Sequence, residues 1–102
     1  MLKFLKEAAV YNFEHEGLRF VGLAHDSHVV CRVTKDALLA CTDADDASAT
    51  ELMDIFDRYR HLFEDIAILE HAAGARDEIN IDRFHLEQPV MRTNFDTARA
   101  LT

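Results

Sequence analysis

The chain has 102 residues, of which 49% are hydrophobic and 29% charged, with three glycines, one proline and no tryptophan. That is one globular domain's worth of sequence, and it excludes a disordered, collagen-like or coiled-coil chain. Net charge is −8, distributed as +1 over residues 1–35, −8 over 36–75 and −1 over 76–102. With no basic cluster, the chain is a poor ligand for a phosphate backbone or an anionic membrane, so nucleic acid and membrane are not expected partners.

No apolar run reaches the roughly 18 residues of a bilayer span. Met1 to Glu7 mixes lysine and glutamate into its apolar residues, unlike a signal peptide, which predicts a cytosolic protein. The two cysteines, Cys31 and Cys41, are too few for a disulfide framework and have no CxxC spacing.

Leu2 to Leu5 alternates and reads as a short strand, although a helical turn fits as well. Val10 to Phe13 is extended, and Glu16-Gly17 marks a turn. The clearest β pattern follows. Residues 18–24 and 29–34 form a hairpin around His25-Asp26-Ser27-His28, closed by a two-residue Asp-Ser turn or a four-residue loop. Either closure sets Ala24 opposite Val29. One face then carries Leu18, Phe20, Gly22, Ala24, Val29, Cys31 and Val33 and should meet the core. The other carries Arg19, Val21, Leu23, Val30, Arg32 and Thr34.

Thr34 is placed to cap a short helix over residues 35–41, and residues 42–47 form an acidic loop. Ser48-Ala49-Thr50-Glu51 is a capping box that opens a long helix over about residues 49–73. Leu52, Ile55, Phe56, Tyr59, Leu62, Phe63, Ile66, Leu69 and Ala73 share one face of it, and Gly74 is expected at the C′ position. Glu70 lies inside that apolar arc and should snorkel or pair with a base. Ile68, on the polar face, is either an incidental exposed residue or an interface anchor. Ile79 to Asp82 reads as the last strand, and residues 83–86 are ambiguous. Gln88-Pro89 stops any strand, and Thr93 or Asn94 can cap a final short helix through Ala100. Residues 1–86 are therefore expected to form the domain, with 87–102 as a C-terminal tail.

Two segments are distinctive: Val30-Cys31-Arg32-Val33-Thr34-Lys35-Asp36-Ala37-Leu38, and Phe56-Asp57-Arg58-Tyr59-Arg60-His61-Leu62-Phe63-Glu64-Asp65-Ile66-Ala67. With Leu18-Arg19-Phe20 before them and Ile79-Asn80-Ile81 after, the chain resembles a family of short bacterial proteins catalogued as domain of unknown function 1488. The resemblance covers roughly residues 2–86 and implies a small α+β domain. It carries over no catalytic or binding residue.

The candidate chemistry is thin. His25, His28 and Cys31 have an H-x2-H-x2-C spacing, but a strand sends Cys31 to the face opposite His28. That leaves two histidines as metal candidates where a structural zinc needs four ligands, and nothing fixes His15 or Asp26 as additions. Asp43, Asp45, Asp46 and Glu51 fail the EF-hand pattern at Ala47 and Ser48. Asp57, His61, Glu64 and Asp65 share a helix face and suit a general base, yet no nucleophile or glycine loop accompanies them. Cys41 lacks a neighbouring base. Arg58 and Arg60 are expected to pair with carboxylates such as Asp54 and Glu64.

The expected fold is α+β: a small antiparallel sheet of three to four strands with a central β-hairpin, packed by one long and one short helix. Val21, Leu23 and Val30 on the sheet's second face, with Ile68, are the interface candidates. The function expected is a non-enzymatic, self-associating interaction or accessory protein with no cofactor. The alternative is a small ligand- or metal-binding domain, using the His25–His28 turn or a pocket beneath the tail.

Overall fold

The computed structural model of the chain describes residues 2–4, 9–14, 16–42, 44–74 and 77–101. Leu5, His15 and Asp43, which entered the sequence reading, lie outside these. Strands β1 (Lys3–Phe4), β2 (Val10–Asn12), β3 (Gly17–Ala24) and β4 (Ser27–Thr34) are followed by helices α1 (Lys35–Leu39) and α2 (Ala49–Gly74). Strand β5 (Glu78–Ile81) and helices α3 (Arg83–Glu87) and α4 (Pro89–Leu101) complete the order.

The class is α+β, as expected, but the sheet is mixed. β1 and β2 both pair antiparallel with β3, β3 with β4, and β5 lies parallel to β4. The connection from β4 to β5 through α1 and α2 supplies the length of chain that a parallel pairing needs.

The hairpin closes on His25 and Asp26, with φ of 51° and 66°. Both residues are left-handed, as a two-residue hairpin turn of type I′ requires. Ala24 therefore pairs with Ser27 and Gly22 with Val29, two residues out of the register expected from the sequence. Neither His25 nor Asp26 is a glycine, so the turn that sets the register carries no strong sequence signal. A two-residue shift leaves the faces unchanged. Leu18, Phe20, Ala24, Val29, Cys31 and Val33 are buried, joined by Ile79 and Ile81 of β5.

The helix signals are realised atom by atom. The Thr34 hydroxyl accepts from the Ala37 amide at 3.2 Å. At the start of α2, Glu51 N–H donates to Ser48 Oγ and Ser48 N–H to Glu51 Oε1, each at 3.2 Å. That reciprocal pair satisfies amides that the first helical turn leaves without partners. Leu52, Ile55, Phe56, Tyr59, Leu62, Phe63, Ile66 and Ala67 of α2 are buried. Leu69 and Ala73, expected in that row, are exposed, and Ala67 is buried instead. Gly74 is the last helical residue and has no positive φ, so it does not act as a left-handed cap. Glu70 does find a base, with Oε1 3.1 Å from His85 Nε2.

Asp82 leaves the strand and caps α3, its carboxylate accepting from the Phe84 amide at 3.0 Å. Its own N–H donates to His85 Nδ1 at 3.2 Å, the second bond of a reciprocal cap. The C-terminal segment differs most from expectation. Helix α4 begins at Pro89, a residue suited to the first helical position because its missing N–H would have had no partner there. Thr93 does not cap; its hydroxyl donates to the Pro89 carbonyl at 2.9 Å inside the helix. Met91 and Phe95 are buried in the core. Phe95 packs on Phe63 and Tyr59, with ring centroids 5.3 and 5.9 Å apart, ending an aromatic run from Phe4 through Phe20, Phe56 and Phe63.

Candidate functional site: the open face of the sheet

Pairing arranges the second face of the sheet in rows. Lys3, Leu23 and His28 form the row nearest the hairpin turn. Val21, Val30 and Glu78 form the next, and Val10, Arg19, Arg32 and Asn80 the one after. Asn12 and Thr34 stand at the far end, on either side of Gly17. Successive rows are about 7 Å apart. Apart from Gly17, none of these residues is buried, so no described element covers this face.

Three interface candidates therefore come together. Val21 sits directly opposite Val30, and Leu23 lies one row away beside Lys3 and His28. All three are half-buried. The fourth candidate, Ile68, lies on α2 and is packed against the hydrophobic core. It does not join the others on this face.

The electrostatics of the face differ from those of the chain. Among the described strand residues, Lys3, Arg19 and Arg32 are its cations besides the histidine, and Glu78 its carboxylate. The Arg32 guanidinium is paired with the Glu78 carboxylate. Arg19 lies directly across from Arg32, a cross-strand like-charge pair of the kind that weakens a sheet. Sequence reading missed this juxtaposition, because its register set Arg19 against Thr34 and Val21 against Arg32.

The other candidates fall into structural roles or stand apart. His25 is in the turn and His28 on the open face, both exposed. Among the described residues, no group of three or more histidine, cysteine or carboxylate side chains is placed to hold a metal ion. In the acidic loop, Asp46 pairs with Lys35 Nζ at 2.7 Å, and Glu51 is committed to the capping box. The Lys35 ammonium and the Ala47 amide hold the Asp46 carboxyl below its usual range, and the same contact raises Lys35. On the outer side of α2, Glu64 accepts from Arg60 Nε at 3.2 Å, while Asp57, His61 and Asp65 are exposed. Cys31 and Cys41 are free and buried. Burial pushes their thiols up to about 11 and about 12, so both remain protonated and unreactive at neutral pH.

A cleft of about 530 Å3 lies on the helical side, between α1, the acidic loop, α3 and α4. Its rim alternates Arg83, Arg92 and Arg99 with Asp36, Asp45, Glu87 and Asp96. Arg83 is paired with Glu87 at 3.0 Å.

Fold and face together define a small α+β domain whose helices pack on one side of a mixed sheet, with no described element covering the other. A family model described as "Protein of unknown function (DUF1488)" matches residues 2–81, and the chain belongs to that family. A solved relative is the crystal structure, at 1.60 Å resolution, of a protein of unknown function from the same family, from Shewanella loihica PV-4. It aligns with a TM-score of 0.66 over 80% of this chain and 92% of that one, at 14% sequence identity. No curated protein matches the chain. The family match ends with β5, so α3 and most of the cleft wall lie beyond it.

Proposed function

We propose that this is a non-enzymatic interaction protein of the bacterial cytosol that pairs with a second copy of itself through the open face of its sheet. The observation that carries the reading is the contiguous Val21, Leu23 and Val30 patch at the centre of an uncovered face. An apolar centre with Lys3, Arg19, Arg32 and Glu78 around it has the anatomy of a protein interface. The 25 residues of the five strands span about 400 Å2 in projection. That is about half of the roughly 800 Å2 each partner contributes to a standard interface, the scale of a weak dimer. Free, protonated cysteines suit a reducing compartment. No described helix is long and apolar enough to cross a membrane.

The test is the mass of the untagged protein at high micromolar concentration, by native mass spectrometry and light scattering. The wild type should be a dimer. Leu23→Asp and Val30→Asp should be monomers with an unchanged far-ultraviolet circular dichroism spectrum. A wild type that is already monomeric overturns the reading, as does a dimer indifferent to both substitutions.

A further inference from the structure

We propose that Arg19 and Arg32 form a clamp for a side-chain carboxylate, through which the open face holds an acidic, partly apolar segment of a partner protein. The hairpin register sets the two guanidinium-bearing residues directly opposite each other on the same face. Placing like charges side by side costs stability, and only one of the two is neutralised. Glu78 pairs with Arg32, while Arg19 is exposed and no described carboxylate pairs with it. A groove of about 390 Å3 runs between them, bordered by Thr34 and Asn80. A guanidinium offers two parallel N–H donors to a carboxylate, so a pair of them supplies both geometry and charge for that group.

What surrounds the pair selects the class of ligand. Arg19 also lines a second hollow, of about 340 Å3, with Val10, Tyr11, Phe13 and Glu14. Phe13 is 78% exposed and Val10 54%, and Phe13 meets the Tyr11 ring edge-on at 4.8 Å. Arginine beside an exposed aromatic ring is the composition of binding hot spots. A partner residue with a carboxylate satisfies Arg19, and an apolar neighbour fits against Phe13 and Val10. Charge points the same way. The chain carries −8 overall, yet among the described residues the strands put Lys3, Arg19 and Arg32 on this face against Glu78, with Glu14 at the hollow beside Arg19. The clamp lies at the β2 end of the face, in the row next to Val21 and Val30, so an acidic segment held there and a second copy compete for the face.

The experiment follows the arginine Nε–Hε signals of the nitrogen-15-labelled full chain by nuclear magnetic resonance. Three probes are titrated: a blocked hexapeptide alternating Glu and Leu, the same peptide with Gln for Glu, and free glutarate. The Glu peptide should shift the Arg19 and Arg32 signals to saturation, and more weakly as salt rises. The Gln peptide and glutarate should leave them nearly in place. Arg19→Gln, checked by its amide spectrum for an intact fold, should lose about tenfold in affinity, with Arg19→Lys intermediate. The proposal is overturned if the Glu peptide moves neither signal, if Arg19→Gln binds it equally well, or if glutarate matches it, which would assign the site to small acids. Because oligomeric state is read from mass and the clamp from these signals, each reading can fail while the other stands.

Discussion

Phe95→Ala removes the ring that ties α4 to the rest of the domain. Phe95 is 4% exposed and packs against both Phe63 and Tyr59 of α2. A buried phenylalanine withdraws about 150 Å2 from water, which at about 25 cal/mol per Å2 is worth about 4 kcal/mol. Truncations of this kind in protein cores cost about 3–5 kcal/mol. Helix α4 is peripheral and can settle into part of the space, which places the expected loss near about 3 kcal/mol. For a domain with about 5–15 kcal/mol in total, that is a large fraction. Urea unfolding followed by circular dichroism should show a midpoint lower by about 1–3 M with an unchanged slope. Val90→Ala is the control. Val90 is on the same helix but 69% exposed, so its substitution should stay within about 0.5 kcal/mol. A loss at Phe95 below about 1 kcal/mol, or no larger than that at Val90, would show that α4 is not part of the cooperative core.

A Cβ added at Gly17 would lie 2.5 Å from the Val33 carbonyl oxygen, so Gly17→Ala must push two strands apart and should cost about 1–3 kcal/mol in the same assay. At Gly22 the nearest atom, at 2.8 Å, is the end of the Leu2 side chain, and Gly22→Ala should cost less. Folding raises the Cys31 and Cys41 thiols from 9.0 to about 11 and about 12. The unfolded chain therefore loses these protons first, and stability should be level below pH 8 and fall as the pH rises past 9 toward 11. Cys31→Ser with Cys41→Ser should flatten that fall, whatever it costs in packing, and a native protein whose thiols react readily with a disulfide reagent at pH 8 would contradict the assignment.

The features legible in the sequence are those set by residues close together in the chain. Thr34 and the Ser48–Glu51 box announce helix starts through hydrogen bonds spanning three residues. Strand alternation assigns Val21, Leu23 and Val30 to one face without any knowledge of what covers it. Distance along the chain and weak turn chemistry hid the rest. The His25–Asp26 turn takes left-handed angles without a glycine, so the register slipped by two residues and with it the pairing of Arg19 with Arg32. The direction of β5 depends on the path of two intervening helices. Helix α4 is held by Phe95 finding Tyr59 and Phe63 on α2, a partner more than thirty residues away that nothing local announces.

The parallel strand β5 also fixes an order of events in time. Arg32 and Glu78 are 46 residues apart in sequence yet adjacent in the sheet. During synthesis the hairpin and α1 are complete while β5 has not yet been made, so one edge of β4 waits unpaired until α2 has been laid down. Closing so long a loop costs entropy before any contact repays it, so β5 is expected to dock after the hairpin has formed. An unpaired strand edge is also where chains stick to one another. Hydrogen exchange during refolding should accordingly protect the amides shared by β3 and β4 before the Val30 amide, which donates to Asp77 at 2.8 Å.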